Sequence, residues 1–402
     1  MGSIITLGLE RLEIDWGKNW NFTDHSKLFL PTDIAPALYH YVEADTGEPV
    51  TETKPAYVRP LRSVIRRLEL LGYSLADCRR IYAETMASVP DYYPPPALSF
   101  DLFARAVAAA DPTRMRLPDP DEDWNLGEYV AKNILVDPEF TKTADELRAM
   151  TESDGTFFEN LDPYVTLRLL GENSENLDRL VIWRFEDVVE GGYVDESDVY
   201  HGLEDADRYL VVTEGSSDSS ILRESLPYVA PDVADFFSFA DMTENYPFTG
   251  TGNLVRFCQG LAQIRIQNRI VVVLDNDTAG RSAFERIRRL PLPPTMRVML
   301  LPSLPDLSRV RTIGPGGEAI DDANGRAVAI EAFLDLGFER TEEPTIRWTS
   351  YDRQVDAYQG ELVDKDRYVQ TFMRSLGKEQ NYDVSKLDCL WTNILACCSS
   401  GA

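Results

Sequence analysis

"RYLVVTEGSSDSSIL", residues 208–222, decides how this chain is read. The apolar, β-branched run Tyr209–Thr213 has strand composition and stops on Glu214 and Gly215; Asp218 follows four residues later in a helix-like stretch. Working outward, the tracts "DFFSFA", "IVVVLD" and "RVMLL" alternate with the helix-like stretches "TGNLVRFCQGLAQIRIQN" and "TAGRSAFERIRRL". Strands that are apolar on both faces and alternate with helices predict an α/β, Rossmann-like domain with a parallel sheet covered on each side. Ligands of such sheets collect at the carboxyl ends of the strands. "VVVLDNDTAG" ends its strand there on Asp275 and Asp277.

If the two strands are neighbours, Glu214, Asp275 and Asp277 converge, with Asp218 close by in the first turn of the next helix. Several ionised carboxylates share a small site only when a divalent cation neutralises them. Oxygen ligands without His or Cys favour Mg²⁺ or Mn²⁺ over zinc. A cluster of this kind stabilises charge in the displacement of a phosphoryl group, so the spacing predicts phosphate chemistry. Each acid also has a plain structural reading: Asp277 as the cap of a helix starting near Thr278, Glu214 as a strand end in solvent. Their joint occurrence at strand ends within one α/β alternation favours a shared site.

At these residues, "VTEGSSD" and "VVVLDNDTAGRSA", the chain resembles the TOPRIM domain of bacterial primases, type IA and type II topoisomerases and OLD-type nucleases. The resemblance implies that Glu214 is a general acid/base or metal ligand, that Asp275 and Asp277 hold the metal, and that Asp218 supports them. OLD-type TOPRIM domains use additional acids and a late lysine. That points to Glu331, set in an apolar stretch read as a helix, as an extra ligand and to Lys365 in "GELVDKDRY" as the lysine; Glu318, Asp321 and Asp322 lie in the same downstream region.

Before residue 200 the signals differ. Strand-like pieces in "SIITLGLERLEIDWG" give way to helical spacing in "PLRSVIRRLELLG", where Leu61, Val64, Ile65, Leu68 and Leu71 share a face between Pro60 and Gly72. "SLADCRRIYAETMASV", "SFDLFARAVAAA" and the stretch from Leu177 to Val188 read as further helices; "DYYPPPA" and "DPTRMRLPDPDEDW" read as loops. The expected organisation is a mostly helical domain over residues 1–200, a TOPRIM domain over 205–335, and a C-terminal extension, 336–402, packing on it. The opening "MGSIITLGLERLEIDWGKNWNFTDHSKLF", followed by helices and the TOPRIM motifs, resembles the HEPN/Toprim-associated proteins of prokaryotic defence systems. HEPN ribonucleases carry Arg-x4–6-His on one helix; none of His25, His40 and His201 has such an arginine, so no HEPN-type RNase is expected. "DWGKNWNFTDHS" gathers Asp15, Lys18, Asn19, Asp24 and His25, a candidate second polar site, though the favoured reading is a turn whose side chains bond the backbone.

A chain of 402 residues is long enough for two or three domains. Its net charge of −27 repels nucleic acid and anionic membrane unless cations or a local basic patch intervene. Residues 251–300 supply that patch, with eight arginines, Arg281, Arg286, Arg288 and Arg289 among them, against three acids. Five cysteines without a CxxC pair exclude a zinc ribbon and a disulfide framework, and no apolar run reaches transmembrane length, so a cytoplasmic protein without a membrane partner is expected. The reading is a Mg²⁺- or Mn²⁺-dependent nuclease acting on DNA or RNA as an antiviral defence effector, working as a homodimer or with a partner protein of a defence system. The alternative is an inactive TOPRIM-fold module whose acidic surface engages a basic protein partner.

Overall fold

The computed structural model describes residues 2–42, 48–88, 99–118, 126–134, 156–239, 250–340, 342–353, 356–376 and 381–399. "DYYPPPA" and the end of "DPTRMRLPDPDEDW" lie outside the described residues. Contacts divide the chain into two compact units, residues 1–204 and 205–400.

The first unit sets its helices, which supply more of its described residues than strands do, against a five-stranded sheet. β1 (Ile4–Leu9) and β2 (Leu12–Lys18) form a hairpin, and β3 (Ile34–Val42) pairs with β4 (Pro49–Pro60). β5 (Leu180–Arg184) lies between β1 and β4 and completes an antiparallel sheet of order β2-β1-β5-β4-β3. The expected helix from Leu177 to Val188 is therefore this central strand followed by a one-turn helix, Glu186–Glu190. Val181 and Trp183 enter the main core and Ile182 a second cluster with Ala37, Tyr39 and Ala56. A strand covered on both faces reads as a continuous apolar run, which its sequence cannot distinguish from a buried helix. The helix Leu61–Leu71 follows expectation: Leu61, Val64 and Leu68 are fully buried, and Gly72 ends it at φ 99°, a left-handed conformation that only glycine adopts cheaply. Helices Leu75–Ser88 and Phe100–Ala109 also form where expected.

The second unit holds the predicted α/β alternation. β6 (Tyr209–Val212), β7 (Phe237–Phe239), β8 (Arg269–Leu274) and β10 (Met296–Leu300) form a parallel sheet of order β10-β8-β6-β7. One face packs on helices Thr251–Gln263 and Thr278–Arg288 through Leu254, Cys258, Ala283 and Ile287. Helices Ser216–Val229 and Ser385–Ser399 pack on each other, with Trp391 Nε1 donating to Ser225 Oγ at 2.9 Å. β9 (Asn276–Asp277) pairs with β13 (Ala327–Val328). β11 (Val310–Gly314), β12 (Gly317–Asp321), β14 (Thr345–Asp352) and β15 (Ala357–Leu362) make a second sheet of order β12-β11-β14-β15.

Candidate active site

From β6 the chain continues to β7 on one side of the sheet, whereas β8 lies on the other side. The strand order therefore reverses between β6 and β8, the position at whose carboxyl ends ligands of such sheets bind. Glu214 stands two residues beyond β6 and Asp275 directly after β8. That Glu214 meets this second turn is shown by Gly280: a methyl group added there would lie 2.1 Å from the Asp275 carbonyl oxygen and 3.2 Å from Glu214 Oε1. A side chain at 280 has no room, so glycine lets the helix start press against both acids.

Each acid is held by its own local logic. Asp218 sits in the first turn of the helix Ser216–Val229 and accepts the Gly215 N–H at 3.0 Å, an N-terminal bond that also suits the helix dipole. Asp277 caps the helix Thr278–Arg288, its Oδ1 accepting from Gly280 N at 2.7 Å. The capping role and membership of the acidic group therefore coexist in one residue. Glu331 lies in a 3₁₀ turn, Ile330–Phe333, rather than the expected helix, and is only 4% exposed. β13 immediately precedes that turn and is paired with the Asn276–Asp277 segment, which brings Glu331 toward the other acids.

The electrostatics follow from this crowding. Burial first, then the charges of Asp277 and Asp218, push the Glu214 carboxyl up to about 8; the Asp275 backbone N–H offsets part of this. Burial and the charge of Glu331 raise Asp218 to about 7, against the pull of Lys365. Asp275 is held well above the usual carboxylate range by burial and by Asp218, Glu214, Asp277 and Glu331. Asp277 is raised by burial, partly countered by its bonds to Gly280 and Gln359. All five acids of the sequence reading thus interact, and Lys365, exposed at the start of the helix Lys365–Ser375, lies within electrostatic reach. Glu214 Oε1 is buried without a hydrogen-bond partner. A buried orphan oxygen among carboxylates is a site for a proton or a hard cation, and the all-oxygen donor set matches what Mg²⁺ or Mn²⁺ takes. As arranged, among the described residues no three His, Cys, Asp or Glu side chains stand close enough to ligate one ion, so holding one requires side-chain rotation.

Other acids and polar groups lie elsewhere or serve the fold. Glu318 pairs with Arg311 at 2.8 Å, Asp321 accepts from Thr312 and Trp348, and Asp322 bonds Asn324. A cleft of about 450 Å³ bordered by Arg309, Arg311, Asp335 and Lys386 contains none of the five acids. In the first unit, Asn19 Oδ1 accepts from Ser3 N and Asp24 Oδ1 from Ser26 N, as a turn reading expects. His25 departs from that reading: buried, it bonds side chains rather than backbone, Asp15 at 2.8 Å and the Tyr164 hydroxyl at 3.1 Å.

Arg281, Arg286, Arg288 and Arg289 are exposed on or just after the helix that Asp277 caps. Among the described residues no carboxylate lies within ion-pair distance of Arg281, Arg286 or Arg289. The residue the sequence reading missed is Gln359, which donates to Asp277 Oδ2 from β15. No local signal marks a lone glutamine 82 positions downstream.

The family model HEPN/Toprim N-terminal domain 1 matches residues 1–207. The chain belongs to this family. Its HEPN/Toprim N-terminal domain is thus the five-stranded antiparallel unit, and the acidic group lies C-terminal to it. No curated protein and no solved structure matches the chain. No described helix is long and apolar enough to cross a membrane.

Proposed function

We propose that the second unit is a TOPRIM-type domain over residues 205–335, completed by the 336–402 extension, and that the protein is a Mg²⁺- or Mn²⁺-dependent nuclease of a prokaryotic antiviral system. The observation that carries this reading is the gathering of five carboxylates near a topological switch point, opposed among the described residues by Lys365. Asp275, Asp277, Glu331 and Glu214 would hold the ion, which supplies positive charge to the phosphoryl group in the transition state. Where Glu214 does not ligate the ion, it serves as the general acid that passes a proton to the leaving oxygen. Asp218 keeps the Glu214–Gly215 turn in place through the Gly215 N–H. Lys365 offsets negative charge beside Asp218. Arg281, Arg286, Arg288 and Arg289 bind backbone phosphates, the basic contact an acidic chain needs to approach nucleic acid. The N-terminal domain is assigned to homodimerisation or substrate selection.

The test is a crossed pair of variants assayed on DNA and RNA with Mn²⁺. Glu214→Gln is expected to lower cleavage by at least ~10²-fold with little change in binding. Replacing Arg288 and Arg289 by Ala should do the opposite, weakening binding and flattening its salt dependence. A Glu214→Gln protein that cleaves at the wild-type rate would leave the inactive binding module as the better reading.

A further inference from the structure

The C-terminal sheet reaches the acidic group through one side chain. Gln359, half-buried on β15, accepts the Ala279 N–H at 3.1 Å through Oε1. A backbone N–H only donates, so this bond fixes which end of the amide is the carbonyl and turns Nε2 toward Asp277 Oδ2, to which it donates. Asp277 Oδ1 is meanwhile held by the Gly280 N–H at 2.7 Å. Both oxygens of one carboxylate are thus pinned, one by its own helix and one by a strand from the extension. Each carboxylate oxygen accepts two bonds, so each keeps a lone pair for another partner. The junction around Gln359 is rigid: Thr278 Oγ1 donates to the Tyr358 carbonyl at 3.1 Å, and the Gly360 N–H to the Arg326 carbonyl at 2.9 Å. A methyl group at Gly360 would lie 2.8 to 2.9 Å from Trp348, Ala327 and Ile346, so β15 cannot ride further from β13 and β14 without losing its packing.

We infer that Gln359 is a positioning residue for the cation site: it holds the Asp277 carboxylate in place while the neighbouring acids turn toward an ion, and so couples the C-terminal sheet to the acidic group. This rests on the metal-dependent reading of the site. A neighbour that orients a ligating carboxylate contributes about 10- to 100-fold in metal affinity. Acting through Asp277, Gln359 touches neither the ion nor the substrate, so its effect belongs in affinity rather than in fold.

The experiment measures Mn²⁺ affinity of the full chain by the electron paramagnetic resonance signal of free Mn²⁺, alongside melting temperature in EDTA. Gln359→Met keeps length and packing but cannot donate, and Gln359→Asn is a milder variant that keeps the amide but cannot span both partners. Both are expected to weaken Mn²⁺ binding by about tenfold or more with the EDTA melting temperature unchanged. Thr278→Val breaks a neighbouring bond of the same junction without touching Asp277 and should bind Mn²⁺ like wild type. Wild-type affinity in both Gln359 variants overturns the inference while leaving the metal site standing. Affinity that falls only in proportion to stability, equally in Thr278→Val, also overturns it, because Gln359 then acts only on the fold. Wild-type protein that binds no Mn²⁺ overturns the metal reading and the inference with it.

Discussion

In the N-terminal unit Glu13 is 5% exposed, and Arg184 meets it at 2.9 Å while bonding the carbonyls of Leu38 and Glu10 as well. In the C-terminal unit Glu331 is equally buried and Asp218 nearly so, yet the charged groups around them are Asp275 and one another, with the exposed Lys365 opposing them. Both regions withdraw carboxylates from water, and the cost of doing so is several kcal/mol per ion unless a counter-charge is present. One region carries its counter-charge in its own sequence; the other crowds carboxylates whose protonated form burial and mutual repulsion favour. Paired buried charge is a fold-specifying arrangement, whereas unpaired buried charge at a strand-end crevice is the arrangement of a site.

The comparison breaks most visibly at its paired half. Arg184→Met strips Glu13 of its partner and should cost about 3 to 5 kcal/mol of stability, read as a lower urea midpoint, with the response to Mn²⁺ unchanged. If that variant is as stable as wild type, burial in the first unit does not depend on pairing. Next comes the unpaired half. Saturating Mn²⁺ at about 100 times its Kd should stabilise the folded state by about 2.7 kcal/mol. For a unit of this size that is a rise of roughly 5 to 10 °C in melting temperature over EDTA. Asp275→Asn should abolish the rise while leaving the far-ultraviolet spectrum intact; no shift in the wild type would remove the cation from the site.

The pH dependence in EDTA sharpens the same comparison. The Glu214 carboxyl titrates near 8 when folded against 4.5 ordinarily, and Asp218 near 7 against 3.8. Between these values the folded state holds more protons at these two groups than the unfolded chain, so their contribution to stability is full below about pH 4 to 5 and is lost as pH rises toward 8. Calorimetry in EDTA should show the C-terminal unit melting lower at about pH 8 than at about pH 5. Mn²⁺ should flatten that slope, and a slope of the opposite sign would contradict the crowding of these acids.

Much of this was readable from local pattern. The tracts around Val211 and Val272 announced a parallel sheet because buried strands are apolar throughout, and the acids at residues 214, 275 and 277 stood out because polar groups directly follow those runs. β5 was not readable for the same reason: "LVIWR" is apolar on both faces, and its period of two emerges only once Val181 and Ile182 are seen in different clusters. The Glu331 turn was misread as a helix because four residues carry too little periodicity to set a helix type.

By itself the sequence determined the α/β alternation of residues 205–300, the strand ends that carry Glu214, Asp275 and Asp277, and the arginines beyond them, since each depends on residues only a few positions apart. Tertiary structure alone decided that β8 lies beside β6, that β13 draws Glu331 toward them, that Gln359 pins Asp277, and that β5 sits mid-sheet between β1 and β4. Those outcomes depend on pairings between segments far apart in the chain. Hydrogen bonding and burial select such partners across the whole molecule, and no short stretch records them.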